Sequence, residues 1–363
     1  MKHTIPAKKW ILIFLCALLV LTFVIGLTGY LVDPFYQFRF RNNTYFNNTA
    51  KFLGPGLVKN YEYDTLIFGS SMTQNFDMDL FRQELGVEPL HVGIGGMGID
   101  ELLAYLELSE RYGRCENYYI GIEQYMLTEA ITFRTPDYLF RDDPISMAKY
   151  LLSYEAWFRY IPLDVALSAI NLMPVNLPDK IRKTADIDYL GNWETDYLFG
   201  EDAVIRNYLS NDYGVSAVKN DGLYERMTRW TDELFERLPG EKTKYRFFFP
   251  PYSVLFWYDA RNDGYLEEYL QIKQYFLEKA QMYGIRVYDF QSADLVFDLE
   301  NYKDITHYSG EINDWMVQCF SRGDYLATTE SIEQSRAKLL SGIEEFAETY
   351  QWILAKNPEN NRS

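Results

Sequence analysis

The sequence predicts an α/β protein with a parallel sheet, preceded by one transmembrane helix. Three observations support this prediction. An uncharged run occupies residues 10–32, short apolar runs alternate with amphipathic helical patterns, and Gly or Pro follows most apolar runs where a buried strand would end. Because parallel strands need crossover connections, this alternation favours a parallel sheet covered by helices.

Residues 10–32 are long enough to cross a bilayer as a helix. Lys2, Lys8 and Lys9 precede this run, so residues 1–9 are expected in the cytoplasm and the rest of the chain outside the cell membrane. A cleaved signal peptide is the alternative, but its apolar region is usually shorter and ends in an Ala-x-Ala-like site. We therefore expect an uncleaved, single-pass signal anchor.

Five apolar runs predict the strands, and six amphipathic patterns predict the helices. The strands are expected at residues 64–68, 90–94, 117–122, 245–249 and 285–290. The helices are expected at residues 79–85, 100–112, 222–238, 265–283, 310–320 and 331–354, with Asp100 as the cap of the second. Residues 33–60 have the irregular, aromatic composition of a juxtamembrane segment.

The alternation lapses between residues 126 and 221, a stretch rich in Tyr, Asn, Asp and Pro. We expect an insertion that caps the carboxyl edge of the sheet, and a second, loosely packed domain is the alternative. The α/β domain then spans residues 61–325, and a C-terminal helix and tail occupy residues 326–363. The helix is expected to pack on the domain, with docking on a partner as the alternative.

The composition excludes one class of partner. The net charge of −17 argues against nucleic acid, because phosphate neutralisation needs clustered Lys and Arg. The 31 Tyr and 24 Phe are either core residues or rings that stack on sugars. Cys115 and Cys319 either form a disulfide or remain buried thiols. Asn42-Asn43-Thr44 and Asn47-Asn48-Thr49 match the glycosylation pattern, which also arises by chance.

A serine and a histidine near the ends of predicted strands indicate acyl-transfer chemistry. Ser70 and Ser71 follow Gly69 directly after the first strand, where a hydroxyl is exposed close to backbone amides. Asp304 and His307 follow the last strand and precede a helix, so they are expected at the same edge of the sheet. A nucleophile, a base and an orienting carboxylate together can form a covalent serine ester. A Gly-Ser turn alone is common at strand ends.

Only three histidines occur, which limits the choice of base to His3, His91 and His307. His91 begins the second strand, and a structural role is the more plausible one. The turn after that strand, Gly93-x-Gly95-x-x-Gly98, also fits a dinucleotide-binding pattern. The expected extracytoplasmic location makes dinucleotide binding the less plausible role for this turn.

The order of these motifs resembles the SGNH (GDSL-like) hydrolase superfamily. In particular, it is similar to the membrane-anchored cell-envelope branch, which includes D-alanyl-lipoteichoic acid transfer proteins and alginate O-acetylation proteins. The matching blocks are Leu66-Ile67-Phe68-Gly69-Ser70-Ser71, Val92-Gly93-Ile94-Gly95-Gly96 and Asp304-Ile305-Thr306-His307-Tyr308-Ser309. The resemblance implies a flavodoxin-like three-layer αβα sandwich with a five-stranded parallel sheet.

The resemblance also implies roles for the site residues. Ser71 would be the nucleophile, His307 the base and Asp304 its partner. The backbone amides of Ser71 and Gly96 would form the oxyanion hole, with Gly95 as the next choice for the glycine. No metal, nucleotide or other cofactor is implied.

The third family block departs from the pattern. Where the family has an Asn that donates to the oxyanion, this chain reads Gly121-Ile122-Glu123-Gln124. Gln124 is the candidate replacement, although its extra methylene changes the reach. Loss of one donor costs on the order of a hundredfold or more in rate, so the departure favours acyl transfer or a slow, specialised reaction over efficient hydrolysis.

The sequence thus predicts an extracytoplasmic serine esterase or O-acyltransferase acting on acyl esters of a cell-envelope glycan or polyol polymer. Trp157, Tyr160, Trp193 and Tyr197 are candidates for a substrate groove, with packing of the insertion as the alternative. A non-catalytic accessory protein, which assists a membrane O-acyltransferase or polymer export, is the alternative function.

Overall fold

The computed structural model describes residues 7–41, 49–128, 131–171, 187–210 and 222–351. The glycosylation patterns that start at Asn42 and Asn47 begin outside the described residues. Contacts divide the chain into two compact units. One consists of Met1–Tyr61 and Thr135–Asp186, which we call the anchor unit, and the other of Glu62–Arg134 and Ile187–Ser363, which we call the α/β unit. Residues of the predicted insertion 126–221 thus belong to both.

The α/β unit contains a five-stranded sheet in which every pairing is parallel. Its strands are β1 (Thr65–Gly69), β2 (Pro89–Gly93), β3 (Asn117–Gly121), β4 (Tyr245–Phe249) and β5 (Arg286–Asp289). The spatial order is β2-β1-β3-β4-β5, the order of flavodoxin-like doubly wound sheets. The predicted fold class is confirmed, and all five predicted strands overlap the observed ones.

Twelve α-helices lie within the described residues. They are α1 (Ala7–Val32), α2 (Ala50–Asn60), α3 (Met78–Leu85), α4 (Ile99–Tyr112), α5 (Pro144–Leu151), α6 (Ile161–Asn171), α7 (Glu201–Ser210), α8 (Leu223–Arg237), α9 (Val254–Asn262), α10 (Leu266–Met282), α11 (Gly310–Arg322) and α12 (Thr329–Thr349). Within the described residues, α1 is the helix that is long and apolar enough to cross a membrane.

Two local predictions are wrong, and one helix outside the insertion is missing from the predictions. Residues 50–60 of the expected irregular segment form α2, in which Phe52 and Leu57 are buried although Pro55 lies inside the helix. This burial offsets the lost hydrogen bond of a proline in a helix, a cost of about 3 kcal/mol. Helix α9 was not predicted. Helix α4 begins at Ile99 with Gly98 as its N-cap, so Asp100 lies in the first turn rather than at the cap.

Many of the aromatic side chains pack in the core of the α/β unit. Phe320 on α11 contacts the rings of Phe76, Phe248 and Phe290, with centroid distances of 5.4–6.4 Å. All four side chains are buried. Core packing, rather than stacking on sugars, therefore explains these four aromatic side chains.

The C-terminal helix packs on the domain, and Cys115 and Cys319 are buried thiols; each was one of two expected alternatives. Helix α12 packs on α9 and α10, and the hydroxyl of Ser335 donates to Asp289 Oδ2 at 2.7 Å. Lys273 of α10 pairs with the same buried carboxylate at 2.9 Å, so the end of β5 holds both helices. Cys115 and Cys319 are buried free thiols and form no disulfide.

Candidate active site

The hydroxyl of Ser71 meets the imidazole of His307 at the carboxyl edge of the sheet. Ser71 follows the end of β1 and begins a short 3-10 helix, Ser71–Thr73. His307 lies between β5 and α11. Its Nε2 atom is 2.8 Å from Ser71 Oγ, within hydrogen-bond and proton-transfer reach. The structure therefore brings together the two residues that the sequence assigned as nucleophile and base.

Asp304 completes the arrangement on the other side of the imidazole. His307 Nδ1 lies 2.9 Å from Asp304 Oδ2, and Asp304 Oδ1 accepts the backbone N–H groups of Thr306 and His307. Burial raises the pKa of Asp304, but the hydrogen bonds and charge of His307 and these amides outweigh it and hold the pKa at about 2. An ionised Asp304 keeps the proton on Nδ1, which leaves Nε2 to accept the Ser71 proton.

Ser70 is committed to a different network. Its side chain is buried, and its hydroxyl donates to Glu123 Oε1, while the Tyr252 hydroxyl donates to Glu123 Oε2. Burial raises the pKa of Glu123, and the two hydrogen bonds oppose that shift. Ser71 by contrast is only partly buried. This difference distinguishes the two adjacent serines, because the Ser71 hydroxyl is hydrogen-bonded to the imidazole of His307 and the Ser70 hydroxyl is bonded to Glu123.

Main-chain carbonyls of the serine turn are held by three side chains. The carbonyl oxygen of Met72 accepts from the Tyr308 hydroxyl and from Asn313 Nδ2, both at 3.0 Å. The carbonyl oxygen of Ser71 accepts from Trp193 Nε1, also at 3.0 Å. Tyr308 follows His307 directly, and Asn313 lies on α11. These bonds fix the serine turn relative to the histidine loop.

The proposed oxyanion glycine lies in a constrained turn after β2. Gly96 has a φ of +72°, and Arg134 Nη2 lies 2.9 Å from the position that a Cβ atom at residue 96 would occupy. Gly95 has open space at its Cβ position. The positive φ therefore makes any side chain at residue 96 strained, and the exposed, flexible Arg134 side chain adds a positive charge beside this turn.

Gln124 uses its amide inside the protein. Its Nε2 atom donates to Gln291 Oε1 at 2.9 Å, and both side chains are buried. Gln124 Oε1 and Gln291 Nε2 have no hydrogen-bond partner within the described residues. The geometry thus ties Gln124 to the loop after β5, and its role as a third oxyanion donor stays a prediction.

His91 is not arranged as a base. It is buried on β2, its Nε2 lies 3.2 Å from Thr73 Oγ1, and burial lowers its pKa to about 3. A neutral, enclosed imidazole of this kind supports the structural role expected from the sequence.

An aromatic surface borders the dyad. The ring of Trp193 stands edge-on to the imidazole of His307, with centroids 5.5 Å apart, and Tyr197 packs against Trp193. Lys303 Nζ lies 3.5 Å from the Tyr197 ring centroid and 4.6 Å from that of Trp193. Tyr197 is 53% exposed. We call Trp193, Tyr197 and Lys303 the aromatic shelf.

The other two groove candidates lie elsewhere. Tyr160 is buried in the hydrophobic cluster of the anchor unit, and Trp157 packs against that cluster with its Nε1 atom donating to the carbonyl of Leu151. Packing, the alternative expectation, is therefore the correct one for Trp157 and Tyr160.

Sequence reasoning missed several residues of the site. Lys303 directly precedes Asp304, and this adjacency was a usable signal. The signals for Arg134 and for the Glu123–Tyr252 hydrogen bond were absent, because both depend on long-range packing. No protein-family model and no curated protein matches the chain. The resemblance to the SGNH hydrolases therefore rests on the three sequence blocks alone.

Proposed function

We propose that this protein is a membrane-anchored, extracytoplasmic serine esterase or O-acyltransferase that acts on acyl esters of a cell-envelope polymer. The observation that carries the proposal is the aligned series of Ser71, His307 and Asp304, with contacts of 2.8 and 2.9 Å. The SGNH family membership predicted from the motifs agrees with this chemistry.

The first half of the proposed reaction acylates the enzyme. His307 Nε2 takes the proton from Ser71 Oγ as that oxygen attacks the ester carbonyl. The resulting oxyanion is stabilised by the backbone amides of Ser71 and Gly96, and the ionised Asp304 stabilises the imidazolium. When the C–O bond of the substrate breaks, the leaving alcohol takes the proton from His307. The acyl group is then an ester of Ser71.

The second half reverses these steps with a new acceptor. His307 removes a proton from water or from a hydroxyl of a glycan or polyol, and the oxygen of that acceptor attacks the acyl-serine. Collapse of the second oxyanion releases the acylated acceptor and returns the proton to Ser71. Water gives hydrolysis, and a polymer hydroxyl gives transfer.

The aromatic shelf supports a carbohydrate or polyol ligand. Exposed aromatic rings stack on the apolar faces of sugars. Tyr197 is 53% exposed and lies against Trp193, which borders His307. The ammonium of Lys303 can donate hydrogen bonds to hydroxyl or acidic groups of the same polymer.

Membrane anchoring by α1 supports an envelope location. The helix is 26 residues long, and Lys8 and Lys9 lie at its N-terminal end. By the positive-inside rule these lysines favour a cytoplasmic N-terminus, which would leave the α/β unit and the part of the anchor unit that follows α1 on the outer side of the cell membrane.

A non-catalytic accessory role is the second candidate, and the state of the third block favours it. Gln124 donates to Gln291, and Glu123 is a buried acceptor of two hydroxyls. The Gln124 amide is thus already engaged with Gln291, and Glu123 is an acceptor rather than the donor that the family resemblance implies at this block. A protein that keeps the fold but lacks turnover would then assist a membrane acyltransferase.

Trapping of the acyl-enzyme separates these two functions. The full-length protein is mixed with p-nitrophenyl acetate, quenched in acid and digested, and the peptide that contains Ser71 is examined by mass spectrometry. We expect an acetyl adduct on Ser71 that is absent from Ser71→Ala, together with faster p-nitrophenol release when glycerol is added as an acceptor. Absence of any adduct on the folded wild-type protein would favour the accessory role.

A further inference from the structure

Two elements of the anchor unit pack on the last turns of α1. Residues 7–24 of α1 are exposed throughout, whereas Ile25, Thr28, Gly29 and Val32 are partly or fully covered. Helices α5 and α6 both contact α1. At Gly29 the approach is close, since a Cβ atom there would lie 3.2 Å from the carbonyl oxygen of Leu151.

The length of α1 fixes the depth of this contact. A bilayer hydrocarbon core takes about 20 helical residues, and the charged Lys9 marks its cytoplasmic limit. Counted from Trp10, the hydrocarbon core therefore reaches to about Gly29. The turns that contact α5 and α6 then lie in the outer part of the bilayer and its headgroup layer, and the contacting segment lies at the same depth.

The same segment exposes an unusual set of large apolar side chains. We call residues 144–166 the α5–α6 segment; it includes a π-helical stretch, Glu155–Tyr160. Its exposed apolar side chains are Ile145, Leu152, Tyr154, Phe158, Leu163 and Val165. The rings of Tyr154 and Phe158 stack on each other with centroids 5.0 Å apart. Single exposed apolar residues are ordinary on a protein surface, but a concentration of this kind marks an interaction site.

The polar residues of the region suit a lipid headgroup layer. Lys149 and Arg159 are exposed on the segment, whereas its two acidic residues, Glu155 and Asp164, are half-buried. Near the end of α1, Arg39 Nη2 donates to the carbonyl oxygens of Tyr30 and Leu31, and its guanidinium lies 4.8 Å from the Tyr30 ring centroid. Tyrosine, tryptophan and basic residues concentrate at membrane interfaces in this way.

From these observations we propose that the α5–α6 segment lies in the outer interface of the bilayer, with Phe158, Leu163 and Val165 among the acyl chains and Lys149 and Arg159 on anionic phosphates. The anchor unit would then hold the membrane by an interfacial segment as well as by α1. This inference rests on the membrane anchoring in the proposed function, but it is independent of the reaction at Ser71.

Depth-dependent fluorescence quenching tests the inference on the full chain. Cys16 is replaced by alanine, single cysteines are introduced by Phe158→Cys or Val165→Cys, and each is labelled with the fluorophore NBD. Cys115 and Cys319 are buried, and a protein without an introduced cysteine measures their background labelling. The proteins are placed in nanodiscs of phosphatidylcholine and phosphatidylglycerol. We expect doxyl-labelled lipids to remove most of the emission at both sites and aqueous iodide to remove little.

Two further labelling positions serve as controls, so that a negative quenching result can be interpreted. Met282→Cys is a matched control, since Met282 is 76% exposed and Phe158 is 74% exposed, and it should respond to iodide rather than to doxyl lipids. Leu19→Cys reports on α1 itself, because Leu19 lies in the middle of that helix. If Leu19 is quenched by doxyl lipids while Phe158 and Val165 respond to iodide, the anchor stands and the interfacial segment is refuted. Protection of residue 158 from both quenchers would indicate a protein contact and would equally overturn the proposal.

Discussion

Ser71 Oγ lies 2.8 Å from His307 Nε2, although 236 positions separate the two residues. Two features of the fold produce this contact. The parallel order of the sheet brings the ends of β1 and β5 to the same edge. The side chains of Tyr308, Asn313 and Trp193 then hold the carbonyls of the serine turn. The dyad is therefore fixed by hydrogen bonds to the main chain.

Asp304→Asn should lower both the reaction rate and the stability. Burial raises the pKa of Asp304, yet His307 and the loop amides hold it at about 2, against 3.8 for a free side chain. A depressed pKa stabilises the fold by about 2 kcal/mol above pH 4, and this contribution disappears as the pH falls towards 2. Urea unfolding at pH 7, 5 and 3 should show a deficit for the variant that shrinks only at pH 3. A deficit that is equal at all three pH values would contradict the assigned ionisation.

The rate effect of the same change should be larger than the stability effect. Removal of the orienting carboxylate from such a triad lowers kcat by roughly 10³ to 10⁴. We expect Asp304→Asn to show this loss with aryl esters, while KM changes little.

Glu123→Gln should remove a pH dependence of stability whose sign is opposite to that of Asp304. Burial raises the pKa of Glu123 above its ordinary value of 4.5. The folded protein then binds this proton more tightly than the unfolded chain, so the stability contribution is full below pH 4.5 and is lost as the pH rises through the folded-state pKa. The glutamine variant cannot ionise. Relative to it, the wild type should lose free energy of unfolding as the pH rises above 4.5.

Tyr252→Phe is the matched control for this prediction. It removes one hydrogen bond to the carboxylate, at a cost of about 1–3 kcal/mol, but it keeps the ionisable group. Urea unfolding should therefore show a pH dependence that is retained in Tyr252→Phe and reduced in Glu123→Gln. Equal slopes in all three proteins would show that Glu123 ionises as freely in the folded state as in the unfolded chain.

Gly96→Ala should reduce esterase activity far more than Gly95→Ala. A left-handed φ of +72° costs a non-glycine residue roughly 1–2 kcal/mol. We expect the turn to relax away from this conformation, and the amide that is proposed to bind the oxyanion to shift with it. Gly95 has open space and serves as the control. Steady-state kinetics with an aryl ester separates the two variants, and an unaffected Gly96→Ala would remove that amide from the proposed mechanism.

Tyr197→Ala should weaken the binding of a glycan or polyol ester but leave small aryl esters unaffected. A ring contact of this kind contributes about 1 kcal/mol, so KM for the larger substrate should rise several-fold. Leu198→Ala is the matched control, because Leu198 is 75% exposed on the neighbouring position. Similar KM values for the two variants would argue against the aromatic shelf as a binding surface.

Local patterns were sufficient for the sheet and for the dyad. Buried strands are short apolar runs that end at Gly or Pro, as at Gly69 and Pro250, and consecutive parallel strands place their following loops at one edge. The positions of Ser71, Asp304 and His307 in those loops could therefore be predicted from chain order.

Features that depend on long-range packing could not be predicted in this way. Pro55 argues locally against a helix, and only the burial of Phe52 and Leu57 explains α2. Trp157 and Trp193 have the same side chain and both lie in the stretch 126–221, yet one packs in the anchor unit and the other borders His307. The fixation of Ser70 on Glu123 likewise joins residues 53 positions apart.

Labelling of the full-length protein by a fluorophosphonate probe tests the central claim most directly, because the probe reacts only with an activated serine. The wild type and Ser70→Ala should be labelled, Ser71→Ala should not be, and His307→Ala should react far more slowly. If the folded wild type fails to react, or if labelling persists in Ser71→Ala, then Ser71 is not an activated nucleophile and the acyl-serine mechanism is wrong.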